Sequence, residues 1–355
     1  MKKAIVIVGS ILAVGIGAAA YLYYHPQIII GGIQKMLYRN EKAINSFEPF
    51  APAMRRVKEN GQLYVTEIQY GTDYPNSYLD ITYPNEDTSV CRPTVVYFHG
   101  GGFFGGDKSL GDPMAVDDDA NRLFEEVVAN GFNFVNVNYA LVPDYHFPVP
   151  LIQMNQAIAH LKAHAAEYGL NMENVVIFGQ SAGAILTGQY GALLANEEYR
   201  NLLGITPAIK AEYVKVLIID DAPFITENFG IKLKLMLGNY LGTMNMRGDM
   251  AQKYNAYCFI TEGYRPSFLT AGNTDGFPDD MSAFAEKLKD VGTEYEYFFT
   301  PKEVCELPHG YLNLVKKNEY ARACFDHILS FMKKHTGGED DDGCRKVDTP
   351  PAGQR

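Results

Sequence analysis

Between Val175 and Ala195 the chain passes from four apolar residues, Val175-Val176-Ile177-Phe178, through Gly179-Gln180-Ser181-Ala182-Gly183 into a stretch rich in Ala, Leu and Gly. The apolar run reads as a strand buried on both faces, and residues 182–195 read as a helix. A strand that turns into a helix within one such pentapeptide demands both glycines, because neighbours carrying a Cβ would collide across so tight a turn. The helix points its N-terminus at Ser181, so the backbone N–H of Ala182 is aimed at negative charge developing there. The pentapeptide fits G-x-S-x-G, the setting of a serine nucleophile.

The rest of the chain alternates in the same way. Strands are expected at residues 63–66, 77–81, 94–98, 132–139, 214–219, 267–271 and 295–299, and helices at 121–129, 151–168, 281–288 and 320–332. The first two strands read as a hairpin, an antiparallel edge on a parallel sheet. This predicts an α/β fold with a mostly parallel central sheet flanked by helices. There is no internal repeat. Residues 61–336 form the catalytic body in this reading. Residues 25–60 form a connector with an amphipathic stretch around Ile33, Met36 and Leu37, and residues 337–355 an acidic, disordered tail.

Charge narrows the function classes. The 355 residues carry 31 Lys+Arg against 42 Asp+Glu, a net charge of −11, which argues against nucleic acid as a partner. Residues 1–60 nevertheless hold eight Lys/Arg and three Asp/Glu, so the excess of acid lies in the body. Lys2 and Lys3 precede an uncharged run at residues 4–24, about 30 Å long as a helix, with Tyr21, Tyr23 and Tyr24 at its far end. Residues 1–24 are expected to be a transmembrane anchor holding the body outside the cytoplasm. The alternative is a signal peptide cleaved after Ala18-Ala19-Ala20, with secretion. The five cysteines lack C-x-x-C spacing and read as core residues or unpaired surface thiols rather than a zinc site.

His99-Gly100-Gly101-Gly102-Phe103 follows the strand at 94–98. Consecutive glycines let a backbone approach a ligand closely and present N–H groups to it. His99 is expected to hold that loop by hydrogen bonds rather than transfer protons. A serine nucleophile needs a base and an orienting acid, which follow it in the order acid, then histidine, in this kind of fold. His309, on a loop between Pro308 and Gly310 after the last strand, is the candidate base. Asp275, in Gly272-Asn273-Thr274-Asp275-Gly276-Phe277, is the candidate acid, with Asp279 and Asp280 as rivals or helix caps.

Taken together, His99-Gly-Gly-Gly, Gly179-Gln-Ser-Ala-Gly, Asp275 and His309 resemble the hormone-sensitive-lipase-like family of α/β-hydrolases over residues 60–335. Asn138-Tyr139-Ala140-Leu141-Val142-Pro143-Asp144 resembles that family's Y-R-L-A-P-E segment, and Asp275-Gly276-Phe277-Pro278-Asp279 its D-x-L-x-D motif. Gln180 and Ala140 depart from it, standing where the family often has Asp and Arg. The resemblance implies an α/β-hydrolase fold with a small helical cap, built from residues 25–60 and an insertion at about 222–262. It also implies oxyanion donors at Gly101, Gly102 and Ala182. The expected activity is hydrolysis of small carboxylic esters of short to medium acyl chain, through Ser181, Asp275, His309 and an acyl-enzyme, with no metal or organic cofactor. The alternatives are a peptidase or amidase on the same residues, or an inactive, membrane-anchored binding protein.

Overall fold

Apolar runs too short for helices pair into one sheet, because each can bury both faces only between two layers of helix. The computed structural model describes residues 17, 20–38, 44–109 and 120–337. Within these, the strands are β1 (Arg55–Val57), β2 (Leu63–Gln69), β3 (Tyr78–Tyr83), β4 (Pro93–Phe98), β5 (Asn133–Val137), β6 (Asn171–Gln180), β7 (Val214–Asp220), β8 (Ser267–Thr270) and β9 (Tyr295–Phe298). They lie in the order β1-β2-β3-β5-β4-β6-β7-β8-β9. Pairing is antiparallel from β1 to β5 and parallel from β5 to β9, so the expected antiparallel edge on a parallel sheet is present. The edge strand β1 falls where the sequence suggested only a connector.

Alternation along the strands feeds two cores. In β6, Val175 and Ile177 join one cluster while Val176 and Phe178 join the other. The first face is covered by α3 (Val149–Ala163), α5 (Ala182–Ala195) and α9 (Pro278–Asp290). The second is covered by α2 (Ala120–Ala129) and α10 (Glu319–Thr336). Helix α5 is buried almost all round, which explains its lack of any polar stripe. The helix expected at 151–168 is instead α3 followed by a separate short α4 (Ala165–Tyr168), closed by Gly169 in a left-handed cap. Asn318 caps α10 by accepting from the N–H groups of Tyr320 and Ala321.

The order of strands places the site. The chain leaves β4 for β5 on one side and leaves β6 for β7 on the other, so the connections after these neighbouring strands diverge and a crevice opens at their carboxyl ends. Phe98 stands opposite Gly179, Gln180 opposite Asp220, and Asp220 opposite Thr270. The residues that follow β4, β6, β7 and β8 therefore emerge side by side. Over this edge lie α7 (Ile231–Leu241) and α8 (Asp249–Tyr254), in the insertion between β7 and β8, with α6 (Glu197–Leu203) beside α8. The amphipathic stretch in the connector forms α1 (Pro26–Tyr38), which packs on α7.

A buried ion cluster ties the antiparallel edge to the loop after β4. β2 loses register between Val65 and Ile68, and Glu67 takes a left-handed φ of 58°. Lys108 Nζ lies 2.7 Å from Glu67 Oε1 and 2.9 Å from Asp80 Oδ1. Asp80 also accepts the Tyr64 hydroxyl at 2.7 Å and the Glu67 N–H at 2.9 Å.

Among the described residues no helix is long and apolar enough to cross a membrane. The proposed anchor lies outside the described residues, apart from residues 17 and 20–24, as does the tail from residue 338 onward. Cys91 is disulfide-bonded, which corrects the reading for that residue, whereas Cys258, Cys305 and Cys324 are free thiols.

Candidate active site

Ser181 sits at the turn between β6 and α5 with φ 54° and ψ −115°. A non-glycine residue in that region costs on the order of 1–3 kcal/mol and persists only when its surroundings hold it. The Ser181 N–H donates to the Asp220 carbonyl at 2.8 Å, and the Ser181 carbonyl accepts from Ile185 N at 3.1 Å as α5 begins. The flanking glycines are required by space. A Cβ on Gly183 would stand 1.9 Å from the Phe98 carbonyl oxygen, and one on Gly179 2.0 Å from that of Gly183. The turn thus presses α5 against the end of β4 and leaves the Ser181 side chain partly exposed at the crevice.

Ser181 Oγ lies 2.9 Å from His309 Nε2. On the other side of the ring, His309 Nδ1 lies 2.8 Å from Asp221 Oδ2. Asp221 is the first residue after β7, wholly buried, with a left-handed φ of 62°. Its Oδ2 also accepts the Gly272 N–H at 2.9 Å, and its Oδ1 accepts the Phe277 N–H at 2.7 Å. A Cβ on Gly276 would stand 2.5 Å from Asp221 Oδ2, so the glycine leaves room for this carboxylate. With the carboxylate accepting on all sides, the ring proton belongs on Nδ1 and the lone pair of Nε2 faces Ser181. The His309 ring is largely buried, with the edge of Phe277 against it at 5.3 Å between centroids.

Asp275, the carboxylate expected at the ring, is placed differently. Its Oδ1 accepts the main-chain N–H of His309 at 2.7 Å and the Thr274 hydroxyl at 3.1 Å, and the residue is exposed. Partial burial works against its charge, but the His309 N–H, the Thr274 hydroxyl, the nearby His309 ring and the Lys232 ammonium outweigh that. Its carboxyl is held below the usual range. The correction is one of reach: the strand end beside Ser181 is that of β7, and its next residue meets the ring first. Two adjacent acids, Asp220-Asp221, at the end of an apolar strand were the signal in the sequence for this residue. Of the rivals, Asp280 is buried and accepts from Phe224 N, Ile225 N and Asn228 Nδ2, fastening the start of the insertion. Burial pushes its carboxyl up despite these donors. Asp279 is exposed in the first turn of α9.

The glycine loop after β4 adopts three successive left-handed residues, Gly101 at φ 105°, Gly102 at 60° and Phe103 at 65°. The Gly101 carbonyl closes it by accepting from Phe104 N and Gly105 N at 3.1 and 3.0 Å. A Cβ on Gly101 would stand 2.2 Å from the Gly105 carbonyl oxygen, and one on Gly102 2.7 Å from the Phe104 ring and 3.0 Å from the Met236 methyl. Among the described residues nothing accepts the N–H groups of Gly101, Gly102 or Ala182. His99 supports this loop from beneath. Its Nδ1 lies 2.7 Å from the Gly100 carbonyl, its ring stacks on Tyr139, and burial pushes its pKa down to about 4. A neutral, walled-in imidazole of this kind has no route to a substrate proton.

The departure at Gln180 has a partner. Gln180 Nε2 donates to Asp220 Oδ2 at 2.8 Å while its Oε1 accepts from the Tyr97 hydroxyl at 3.1 Å, all buried. An Asp at position 180 would set two buried carboxylates against each other, a repulsion that the neutral amide avoids.

The family model described as BD-FAE matches residues 79–282, more than half of the chain. The acetyl esterase of Salmonella choleraesuis is 30% identical over 136 residues, covering 37% of this chain and 39% of that protein. Carboxylesterase NlhH of Mycobacterium tuberculosis is 25% identical over 230 residues, covering 62% of this chain and 67% of that protein. The match to the acetyl esterase thus spans well under half of that relative's length. Among solved structures, esterase B from Lactobacillus rhamnosis superposes with a TM-score of 0.65 at 18% identity, covering 94% of this chain and 97% of that one. A bacterial heroin esterase superposes with a TM-score of 0.60 at 19% identity, covering 87% and 89%. These superpositions place the fold among the α/β-hydrolases.

Proposed function

Because the chain belongs to the BD-FAE family and has an α/β-hydrolase fold, we propose that it hydrolyses carboxylic esters through an acyl-enzyme on Ser181. One observation carries this reading: the continuous line Ser181 Oγ, His309 Nε2, His309 Nδ1, Asp221 Oδ2, with separations of 2.9 and 2.8 Å across the ring.

Ser181 Oγ attacks the ester carbonyl carbon while His309 Nε2 takes its proton. Asp221 holds the ring in the tautomer that accepts at Nε2 and stabilises the imidazolium. The carbonyl oxygen becomes an oxyanion, for which the N–H groups of Gly101, Gly102 and Ala182 are the donors. The tetrahedral species collapses, the ester C–O bond breaks, and His309 returns the proton to the leaving alkoxide. Water repeats the sequence and releases the acid. Asp275 fixes the His309 backbone rather than its ring.

The substrate class is a small ester of short to medium acyl chain. Support comes from the apolar surroundings of Gly102, where the Phe104 ring and Met236 methyl take the space, and from relatives named acetyl esterase and carboxylesterase. We further place the body outside the cytoplasm, behind an N-terminal anchor. The uncharged run at 4–24 and the disulfide at Cys91 support this, since such bonds persist in oxidising compartments.

The test is a panel of p-nitrophenyl esters graded by acyl length, read beside fluorophosphonate labelling. Wild type should turn over the shorter esters and take one label, and Ser181→Ala should lose at least about 10⁴-fold of turnover and all labelling. Turnover that survives in the alanine variant removes Ser181 from the reaction. Amide hydrolysis as fast as ester hydrolysis would favour a peptidase.

A further inference from the structure

A buried amide that donates to the segment just after the glycines comes from α1, far away in sequence. Gln34 is 2% exposed, and its Nε2 donates to the Phe104 carbonyl at 3.0 Å and the Val142 carbonyl at 2.5 Å, across 70 and 108 residues of chain. Those two carbonyls belong to segments already joined, since Val142 N donates to the Phe103 carbonyl at 2.9 Å. One amide group therefore closes a ring of hydrogen bonds around Phe103 and Phe104, immediately after Gly101 and Gly102. The loop needs such a clamp, because Phe103 is a bulky residue at φ 65° following two left-handed glycines. Its ring is also held from α7, stacked on Tyr240 with centroids 3.5 Å apart. Helix α1, which packs on α7, thus grips the loop from its second side.

We propose that Gln34 is a positioning residue that keeps the Gly101 and Gly102 N–H groups aimed at the oxyanion, making the N-terminal helix part of the catalytic apparatus. The inference rests on the ester-hydrolase reading above. Without the amide, two buried carbonyls lose their donor and the loop can relax toward unstrained backbone, turning its N–H groups away. The interaction matters most when charge develops on the substrate oxygen, so its loss falls on kcat rather than KM.

The experiment compares full-length wild type, Gln34→Met and Gln34→Lys with a p-nitrophenyl ester and with an alkylboronic acid, whose adduct on Ser181 carries the oxyanion charge. Met keeps the shape without a donor, and Lys keeps a donor on a stem of similar length. In Gln34→Met, kcat should fall about tenfold or more, short of the 10²–10³ that direct loss of an oxyanion donor costs. KM should stay within about twofold, and boronate affinity should fall in parallel with kcat. Gln34→Lys should keep most of the wild-type kcat, and it keeps the test open where the methionine variant fails to fold. A folded Gln34→Met with wild-type kcat, or a folded Gln34→Lys with a loss of kcat of tenfold or more, overturns the proposal. A wild type that turns over no ester overturns the hydrolase reading instead.

Discussion

At the scale of single residues, His309 is held by two carboxylates with separate tasks. Asp221 sits on the ring nitrogen, and Asp275 on the main-chain N–H of the same residue. Exchanging Asp221 for Asn offers Nδ1 an amide that can hold the ring in the wrong tautomer, an effect worth on the order of 10⁴ in kcat in a serine triad. Asp275→Asn keeps an acceptor for the main-chain N–H and should lose far less. Steady-state kinetics on one ester decides between them: an active Asp221→Asn beside a crippled Asp275→Asn would return the orienting role to Asp275. Ser181 and His309 were legible in the sequence because their cues are local, a strand–glycine–helix turn and a lone histidine on a loop after the last strand. The carboxylate was not. Five aspartates, Asp220, Asp221, Asp275, Asp279 and Asp280, lie at or near the carboxyl ends of β7 and β8, and only the placement of the strands selects one.

At the scale of elements, the described part of the loop after β4 is fastened at two points. Gln34 grips it just beyond the glycines, and Lys108 pins its far side to β2 and β3. Burial alone would pull the Lys108 ammonium down, but the Asp80 and Glu67 carboxylates outweigh that and raise it above the ordinary lysine range. A raised folded-state pKa contributes stability that is complete below the unfolded value of about 10.4 and is lost as pH climbs through the folded one. Lys108→Met strands two buried carboxylates and should cost about 3–5 kcal/mol near neutral pH. Urea unfolding of variant and wild type from pH 7 to 11 measures both effects. The gap should narrow above pH 10.4, and equal stabilities at pH 7 would show that the cluster contributes nothing net. In sequence the residues before the body read as a connector, yet a cut before Asn45 strips Gln34 from its two carbonyls. The amphipathic period of α1 announced a buried face without saying what that face would cover.

At the scale of the whole molecule, the reading of an acidic body outside the cytoplasm behind a basic, apolar N-terminus predicts two behaviours. The native protein should stay with membranes through a high-salt wash, because insertion is hydrophobic while an electrostatic contact is screened. Cys91 should resist alkylation until a reductant is added. N-terminal sequencing that begins at Tyr21 would replace the anchor with a cleaved signal. A freely alkylated Cys91 in a soluble cytoplasmic fraction would remove both readings.

Taken alone, the sequence determined the layered α/β architecture, the strand that ends in Ser181 and the glycines on which the turn depends. Each of these rests on contacts within a few residues or on a period that a single segment displays. Tertiary structure alone decided that Asp221 faces the His309 ring, that Gln180 answers Asp220, and that a helix at residues 26–38 clamps a loop at 101–104. Those pairings join residues 40 to 108 positions apart, or cross from one strand end to another. A side chain's own neighbours in sequence carry no trace of which strand end or helix face will meet it, and strand order and cap packing settle that only once the chain has folded.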